Sequence, residues 1–385
     1  MRAPKHTSVF IIAGEASGDM HAASFMQAMK NLRPNVVFHG IGGPAMKGAG
    51  LVPIFNSAEL SVVGLVEVVS RAPAIFRAYR KTVAALRKLS PHLLVLVDFP
   101  EFNLIVARQA KRLKIPVFYY ISPQVWAWRQ GRVKKIRRLV DEMAVILPFE
   151  EDFYKSRGMA VNYVGHPLMD VVRATRKPGE FAREHGLDPG RAIVGLLPGS
   201  RAGEVSRILP VMLDAAGIMA NRSPALQFIL PVAPTLRVET LAPFLAGRPI
   251  RPLLVETDRY DAMAASDLLF LASGTVTLEA AILGIPAIVT YRVSPVTFFL
   301  GRRFIKVSHV SLVNLIAGRE VVPEILQKDA TPERLAREGL SLLKDQGRRD
   351  AMRDELCKVR DALGGPGAAR RAAGLALRFL SCLNP

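Results

Sequence analysis

The feature that most constrains the fold is an alternation of short apolar runs with longer amphipathic stretches along the whole chain. Near-continuous runs of valine, leucine and isoleucine are typical of parallel strands in a sheet that is buried on both faces. The first half predicts strands at Val9–Ala13, Val36–His39, Leu93–Asp98, Val117–Ile121, Met143–Leu147 and Asn162–Val164. The second half predicts strands at Ile193–Leu197, Gln227–Leu230, Leu253–Val255, Leu268–Leu271 and Ala287–Val289. We therefore expect an α/β fold with two Rossmann-like, doubly wound parallel sheets.

The length of the chain and its two series of strands indicate two domains. A chain of 385 residues is longer than one hydrophobic core usually organises. We predict an N-terminal domain over residues 1–168 and a C-terminal domain over residues 169–366. After the helix-breaking sequence GGPG, a last helix over 367–385 is expected to pack back on the first domain. Two such domains are expected to face a cleft, with ligands at the carboxyl ends of the strands.

The charge limits the kinds of partner that the chain can have. It has 52 lysines and arginines against 33 aspartates and glutamates, a formal net charge of +19. This excess indicates an anionic partner, which from charge alone can be nucleic acid, an acidic membrane surface or a phosphorylated substrate. The two cysteines, Cys357 and Cys382, form no disulfide framework or metal-ligand pattern and fit a reducing cytoplasm. The apolar runs are far shorter than the roughly 18–20 residues of a membrane span, so none is predicted.

The loop after the first predicted strand is a candidate ligand site. Its sequence GEASGD at 14–19 opens a helix, so backbone N–H groups and the positive helix end can approach a ligand. We predict substrate contacts from Glu15, Ser17, Gly18 and Asp19. The alternative is a tight turn capped by Ser17 or Asp19, and both interpretations can hold together.

Two loops in the second half have the same strand, small-residue loop and helix pattern. In the first, Gly199, Ser200 and Arg201 precede a helix, an arrangement that favours a diphosphate site. The alternative makes Arg201 a solvated turn residue and Ser200 a helix cap. The second loop contains Ser273, Gly274 and Thr275, with Glu279 one turn later, where it could accept hydrogen bonds from ribose hydroxyls. The alternative for Glu279 is charge stabilisation of its own helix.

An acidic residue ends the most apolar predicted strand and is the candidate general base. Asp98 follows Leu93–Val97, and Glu101 lies three residues further on. Removing a proton from a hydroxyl requires a carboxylate within hydrogen-bond reach and partly shielded from water. Asp98 or Glu101 can meet this need, and the alternative makes Asp98 the cap of the helix that starts near Phe102.

Both tryptophans lie in SPQVWAWR at 122–129, followed by five cations over 132–138. Aromatic faces beside cations suit sugar or acyl-phosphate contacts, and Trp126 is a predicted substrate contact. Single-stranded nucleic acid also binds such segments, but no nucleic-acid-binding signature accompanies this one, so nucleic acid is not the expected partner. GIGGPA at 40–45 resembles a dinucleotide fingerprint but follows the second strand and contains Pro44, so no NAD site is predicted.

The sequence predicts chemistry without a metal or cofactor. It contains no Asp-x-Asp, no spaced histidine pair and no cysteine cluster. The charge on a leaving diphosphate is then expected to be stabilised by the backbone amides over 199–203, by the helix end and by Arg201.

Two segments combine apolar residues with cations and are predicted membrane-surface contacts. Val62–Arg80 carries more apolar residues than one core-facing stripe needs, next to several arginines. Phe298–Lys306 has the same aromatic and cationic pairing. An ordinary buried helix remains the alternative for each.

Six blocks together resemble the lipid-A-disaccharide synthases of Gram-negative bacteria. They are AGEASGD at 13–19, GIGGPAM at 40–46, SPQVWAWR at 122–129, LPGSRAGEV at 197–205, ASGTVTLEAAILGIP at 272–286 and VSLVNLIAGREVVPE at 310–324. The resemblance implies a GT-B fold and an inverting transfer of 2,3-diacylglucosamine from its UDP derivative to 2,3-diacylglucosamine 1-phosphate. The products are UDP and a β-1,6-linked disaccharide.

The resemblance also implies roles for individual residues. Asp98 is similar to the family's proposed base, Arg201 to its diphosphate contact, and Glu279 and Asn314 to residues around the nucleotide; Glu15 and Ser17 would lie across the cleft. The loop sequence FPEFN after Asp98 leaves Asp98 and Glu101 as alternative bases. Peripheral attachment to the cytoplasmic face of the inner membrane is implied as well.

Three rival functions remain open from the sequence alone. One is another GT-B transferase, such as the enzyme that makes the lipid-linked peptidoglycan disaccharide, and a second is a UDP-N-acetylglucosamine 2-epimerase. The third is a basic binding protein without catalytic activity, whose fold UDP would not protect.

Overall fold

The computed structural model describes residues 6–56, 65–293 and 308–383. The chain folds into two compact units, one of Met1–Asp170 with Gly364–Pro385 and one of Val171–Leu363. Each unit is built around one parallel sheet with helices on its faces. Among the described helices, none is long and apolar enough to cross a membrane.

The first unit contains a seven-stranded sheet in the order β3-β2-β1-β4-β5-β6-β7. Its strands are β1 Thr7–Ala13, β2 Val36–Gly42, β3 Leu51–Asn56, β4 Leu93–Val97, β5 Val117–Tyr120, β6 Glu142–Val145 and β7 Asn162–Tyr163. The helices between and after them are α1 Ala16–Leu32, α2 Pro44–Gly48, α3 Leu65–Leu89, α4 Pro100–Arg112, α5 Val125–Trp128, α6 Val133–Leu139, α7 Glu150–Lys155 and α8 Leu168–Val171. A short 3-10 helix, Gln130–Arg132, joins α5 to α6.

The second unit contains a six-stranded parallel sheet in the order β10-β9-β8-β11-β12-β13. Its strands are β8 Ile193–Leu197, β9 Gln227–Pro231, β10 Leu253–Val255, β11 Leu268–Ala272, β12 Ala287–Tyr291 and β13 Glu324–Leu326. Its helices are α9 Pro178–Glu184, α10 Ala202–Arg222, α11 Ala242–Leu245, α12 Arg259–Ala264, α13 Val276–Leu283, α14 Leu312–Ala317, α15 Pro332–Lys344 and α16 Gln346–Ala362. Short 3-10 helices lie at Val238–Thr240 and Gln327–Asp329.

The last helix, α17 Ala368–Leu383, belongs to the first unit and packs against α1. Ala372, Ala376 and Leu380 are buried in one cluster with Phe25 of α1. Arg371 fixes the start of the helix, because its Nε donates to the Val164 carbonyl at 2.8 Å and its other nitrogens donate to the carbonyls of the preceding turn.

The α/β prediction is confirmed, and the structure adds two edge strands that the sequence patterns did not reveal. β3 contains Pro53, which cannot donate to a ladder and is tolerated because β3 is the last strand of its sheet. Its pairing with β2 has an irregular register at Gly40 and Ile41. β13 has only three residues and also lies at a sheet edge. Edge strands need no continuous apolar run, which is why they were missed.

Each sheet reverses its strand order at one point, and this point fixes where ligands can bind. In the first unit the chain runs outward from β1 to β3 and then returns to the other side of β1 as β4. In the second, β8 and β11 are the corresponding neighbours. The crossover loops leave opposite sides of the sheet there, which opens a crevice at the carboxyl ends of the two strands.

Two glycines in the packed helices α10 and α15 are expected to respond in opposite directions to substitution by alanine. Alanine is favoured over glycine in a helix by about 1 kcal/mol, and a Cβ at Gly217 would make an ordinary 3.7 Å contact with Pro249. A Cβ at Gly339 would lie 2.8 Å from Cζ of the fully buried Phe270 ring, and such overpacking costs ~1–3 kcal/mol.

Urea unfolding is the measurement, with Gly217→Ala expected to raise the free energy of unfolding and Gly339→Ala to lower it. Equal stabilisation by both variants would contradict the close packing at Phe270.

Candidate functional site

In the first unit, the loops after β1 and β4 lie side by side at the strand-order reversal. Ala13 pairs with Val97 in the register, so the segments 14–19 and 98–101 leave the sheet as neighbours. The backbone of Gly14 lies against the Phe99 ring: a Cβ at this position would be 2.4 Å from ring atoms. Glycine is therefore required at position 14, and the two predicted loops form one surface.

Asp98 has a strained backbone that other residues hold in place. Asp98 and Phe99 both have a φ of 46°, a left-handed conformation that costs roughly 1–2 kcal/mol for each non-glycine residue. The Asp98 carbonyl accepts hydrogen bonds from the Tyr119 hydroxyl at 2.6 Å and from the Asn103 side-chain amide at 2.7 Å. Strain of this kind, maintained by its surroundings, is typical of functional sites.

Tyr119 and Asn103 are functional candidates that the sequence did not indicate. Both are fully buried, and Tyr119 lies on the neighbouring strand β5. Burial, and after it the charge of Asp98, raises the pKa of Tyr119 well above its usual range, so its hydroxyl remains a donor. The available signal in the sequence was an asparagine at the start of the helix that follows Asp98.

Glu101 is in a different environment from Asp98. Its side chain is 67% exposed and forms ion pairs with Arg129 at 2.8 Å and Arg132 at 2.7 Å. Partial burial acts to raise the pKa of Glu101, but Arg132, Arg129 and Lys135 lower it below its usual value. Asp98, in contrast, is partly buried. The two candidate bases are therefore distinguishable by their surroundings.

Asp19 is used within the fold. Its carboxylate accepts three backbone hydrogen bonds, from Gly43 at 2.6 Å, Ala45 at 2.9 Å and Met46 at 3.2 Å. It therefore caps the N-terminus of α2, which explains why the motif GIGGPAM occurs with an aspartate in α1.

The other predicted residues of this loop lie at its start. Glu15 occupies the N-cap position of α1 and is partly buried, Ser17 is exposed, and Gly18 is buried beside Ala13. Of the four predicted contacts in this loop, Ser17 therefore has the most exposed side chain.

Trp126 packs in the core, and the other tryptophan is exposed. The Trp126 ring is 5% exposed and lies edge-on to Phe149 at 5.0 Å. Trp128 is 47% exposed and has the Arg129 guanidinium 4.0 Å from its ring centroid. Trp128 and Arg129 therefore form the aromatic and cationic surface that the sequence predicted. Trp126 instead packs inside the protein under this loop.

A buried carboxyl group, that of Glu150, is hydrogen-bonded to the start of the same loop. Glu150 is 1% exposed and accepts hydrogen bonds from the Ser122 hydroxyl at 2.5 Å and the Leu147 amide at 2.9 Å. Burial, the largest influence, raises the pKa of Glu150 from 4.5 to about 7, although these hydrogen bonds act to lower it. Glu150 thus connects the loop after β5 to the loop after β6.

The strand-order reversal of the second unit presents a helix N-terminus and a cation. Gly199 has a φ of +111°, which favours glycine, and a Cβ there would meet the Glu204 carboxylate at 2.7 Å. Arg201 occupies the N-cap position of α10 and its side chain is 59% exposed. The Ser200 carbonyl accepts from the Thr235 hydroxyl at 2.6 Å. The loop is shaped so that the first amides of a 21-residue helix and one guanidinium lie together.

The neighbouring loop after β11 contains the third group of predicted residues. The Ser273 hydroxyl donates to the Val310 carbonyl at 3.0 Å, Gly274 has a φ of +158°, and Thr275 is exposed at the N-cap of α13. Leu271 pairs with Leu197 in the register, so this loop is adjacent to the Arg201 loop.

Glu279 is buried beside a cation in the same part of the second unit. It is 6% exposed and forms an ion pair with Arg259. Burial raises its pKa, and the charge and hydrogen bond of Arg259 act against this increase. The sequence did not reveal these contacts of Glu279 at the start of α12, which are with Arg259 and its neighbour Tyr260.

Asn314 is fully buried, and every hydrogen-bonding group of its side chain is used inside the protein. Its Nδ2 donates to the Val322 carbonyl and the Glu324 carboxylate, both at 2.9 Å. Its Oδ1 accepts from the amides of Val321 at 2.7 Å and Val322 at 3.0 Å. An asparagine with all four groups satisfied organises the loop before β13 and has none left for a ligand.

The predicted membrane segments lie largely outside the described part of the chain. All of Phe298–Lys306 lies outside the described residues. Of Val62–Arg80, residues 62–64 lie outside them, and side chains are described from residue 73 onward. There, Phe76 is 60% exposed and Arg77 and Arg80 are exposed as well. Within the described ranges, no three His, Cys, Asp or Glu side chains are grouped as metal ligands would be.

The chain matches one protein family over nearly its whole length. A family model described as lipid-A-disaccharide synthetase matches residues 9–379. A lipid-A-disaccharide synthase of Nitrosococcus oceani is 49% identical over 98% of this chain and 97% of the relative. One of Myxococcus xanthus is 43% identical over 97% of each chain.

Solved structures with low sequence identity share the fold. A UDP-GlcNAc 2-epimerase from Neisseria meningitidis bound to UDP-GlcNAc has a TM-score of 0.62 at 11% identity, over 98% of this chain and 100% of that one. The calicheamicin glycosyltransferase CalG4 has a TM-score of 0.63 at 14% identity over 100% of both. These similarities confirm the predicted fold class, GT-B with two Rossmann-like parallel sheets.

Glu150 is expected to make the folded protein less stable as the pH rises from about 4.5 to about 7. In that interval the unfolded chain has lost the proton that the folded state keeps. The unfolded state then binds fewer protons, and the free energy of unfolding decreases with pH. Glu150→Gln removes this titration. Between these two pH values the free energy of unfolding of the wild type should therefore fall relative to that of the variant, and above about pH 7 the two should change in parallel. Urea unfolding of both proteins from pH 4.5 to 8 measures the difference, and a constant difference would contradict the buried, protonated carboxyl group.

Proposed function

The chain belongs to the lipid-A-disaccharide synthase family of glycosyltransferases, and from this premise we propose the following reaction for it. It transfers 2,3-diacylglucosamine from its UDP derivative to 2,3-diacylglucosamine 1-phosphate. The acceptor hydroxyl attacks the anomeric carbon of the donor, the bond from that carbon to the diphosphate breaks, and the configuration inverts. The products are the β-1,6-linked disaccharide 1-phosphate and UDP.

The observation that carries this proposal is the position of Asp98 at the strand-order reversal of the first sheet. The residue lies at the carboxyl end of a central strand, partly buried, with its backbone held by Tyr119 and Asn103. We infer that Asp98 accepts the proton of the attacking hydroxyl, because a partly shielded carboxylate on a backbone held in place suits a general base.

Glu101 is the weaker candidate for the base. Two arginines donate to its carboxylate oxygens, and they lower its pKa and hence its proton affinity. In the proposal, Glu101 instead holds Arg129 and Arg132 at the edge of the acceptor loop, where their charge favours a phosphorylated acceptor.

The donor diphosphate is assigned to the N-terminus of α10. The first backbone amides of α10, the helix dipole and the exposed Arg201 provide donors and positive charge for the developing UDP anion. Ser200, Ser273 and Thr275 border this position on the two adjacent loops. Glu279, beside Arg259, is the proposed acceptor of ribose hydrogen bonds.

The rival functions have weaker support. The epimerase likeness is at 11% identity, a level that shows the fold alone, whereas the synthase relatives are 43–49% identical over almost the whole chain. We also propose a location on the cytoplasmic face of the inner membrane; the acylated substrates of the proposed reaction, the charge of +19 and the exposed Phe76 beside arginines support it.

Asp98→Asn is expected to reduce kcat by ~10²–10⁴-fold, because general base catalysis contributes about that factor. Glu101→Gln, the matched control three residues away, should retain kcat within about tenfold. The assay follows UDP and disaccharide by mass spectrometry, with EDTA present and with UDP binding measured for each variant. If Glu101→Gln lost turnover and Asp98→Asn kept it, the assignment of the base would be reversed. If neither the wild type nor the variants formed product while UDP still bound, another GT-B reaction would be indicated.

Arg201→Ala is expected to weaken UDP binding by about 10- to 100-fold, the value of a charge-assisted hydrogen bond. Arg222→Ala, at the opposite end of the same helix, removes the same charge away from the proposed diphosphate and should leave the Kd within about twofold. Isothermal titration with UDP gives both values. Equal losses in the two variants would show a general charge effect and contradict the site.

A further inference from the structure

A cationic pocket lies on the outer surface of the first unit, outside the proposed reaction site. It is open, has a volume of about 400 Å³, and is lined by Arg108 of α4 together with Gly131, Lys134, Lys135, Arg138 and Leu139. We name it the α4–α6 pocket. Four cations and no acidic residue contribute to its wall, so its electrostatic potential is strongly positive.

The local fold places these cations together. Val133 and Ile136 of α6 are buried in the core, so the residues between and after them, including Lys134, Lys135 and Arg138, are exposed. On α4, Ala107 is buried and Arg108 is exposed. Burial of the apolar stripes of the two helices therefore forces their cations into one place.

The charges next to the pocket form ion pairs, whereas within the pocket Lys135 acts only at longer range on Glu101, whose pKa it helps to lower. Lys111 pairs with Asp141, and Arg129 and Arg132 pair with Glu101. Among the described residues, none forms an ion pair or side-chain hydrogen bond with the four cations of the pocket. Four like charges held together in this way repel one another, and a bound anion would relieve that repulsion.

Large apolar side chains flank the pocket on one side. Ile105 is 51% exposed and lies on the same face of α4 as Glu101 and Arg108, since four and three residues separate them. Trp128 is 47% exposed, and its segment is fixed to the start of α4 by the bonds of Arg129 and Arg132 to Glu101. A tryptophan and an isoleucine beside unpaired cations are typical of a surface that enters a lipid headgroup region.

We propose that the α4–α6 pocket binds the phosphate of an acidic phospholipid at a membrane surface, with Ile105 and Trp128 entering the headgroup layer. The exposed aliphatic Ile105 favours a lipid over a free phosphate or a nucleic acid. A nucleic-acid base can stack on Trp128, but neither of those ligands offers an apolar phase for an isoleucine. The lining of the pocket includes no residue of Val62–Arg80, although Gln109 of α4 donates to Tyr79 of that segment. The contact does not depend on the transfer reaction.

The test compares two variants with the same change in charge. The pocket variant combines Arg108→Gln, Lys134→Gln and Arg138→Gln. The control combines Lys155→Gln, Arg370→Gln and Arg378→Gln, three cations elsewhere on the same unit. Sedimentation with vesicles of phosphatidylcholine, with and without about 30 mol% phosphatidylglycerol, measures the partition coefficient, and circular dichroism checks the fold.

For vesicles with phosphatidylglycerol, we expect partition of the pocket variant to fall at least about tenfold, since each cation at an anionic surface contributes severalfold. The control should change by less than about threefold, and pure phosphatidylcholine should not separate the variants. Equal losses in both variants would overturn the proposal by showing net charge alone. Unchanged vesicle binding would overturn it too, and loss of binding to glycerol 3-phosphate or a single-stranded oligonucleotide in that case would identify a soluble anion as the ligand.

Discussion

Burial of both faces of each parallel sheet is the constraint on which the rest of the structure depends. A strand covered by helices on both sides has no room for unpaired polar groups, so β4 and β11 are fully buried along their length. Polar and charged side chains that must meet a ligand are therefore confined to the ends of the strands. The order of the strands then decides which ends are neighbours, and the reversals at β1/β4 and β8/β11 bring together loops that are about 75 to 85 residues apart in sequence.

At the first of these reversals the fold stores strain at the residue proposed to react. The two consecutive left-handed residues, Asp98 and Phe99, are maintained by the hydroxyl of Tyr119 on the adjacent strand and by the amide of Asn103 in the following helix. Rigid elements on both sides thus fix the backbone of a loop residue. The neighbouring Glu101, bound to two arginines at the surface, contributes charge balance instead.

The sequence predicted the fold class and the principal loops because apolar periodicity and glycine placement are local signals. It did not predict what each polar residue contacts. Asp19 and Asn314 looked like ligand residues, yet a helix N-terminus and a neighbouring loop use their hydrogen-bonding groups. Trp126 was a predicted substrate contact, but its ring is buried against Phe149. Tyr119 escaped notice because its partner is 21 residues away, and only the pairing of β4 with β5 brings the two together.

The return of α17 to the first unit has a consequence for how the chain folds as it is synthesised. All strands of the first unit, and α1 with Phe25, have been synthesised by residue 170. Ala376 and Leu380, which belong to the same apolar cluster as Phe25, follow only after the whole second unit. At about 5–20 residues per second, a ribosome adds the intervening segment in roughly 10 to 40 s. For that time the nascent first unit exposes an unfilled groove beside α1, while the second unit, whose residues are continuous, can fold by itself. The sixteen residues of α17 therefore cover this groove at the end of synthesis. Until then its apolar surface is accessible to chaperones and to other unfolded chains.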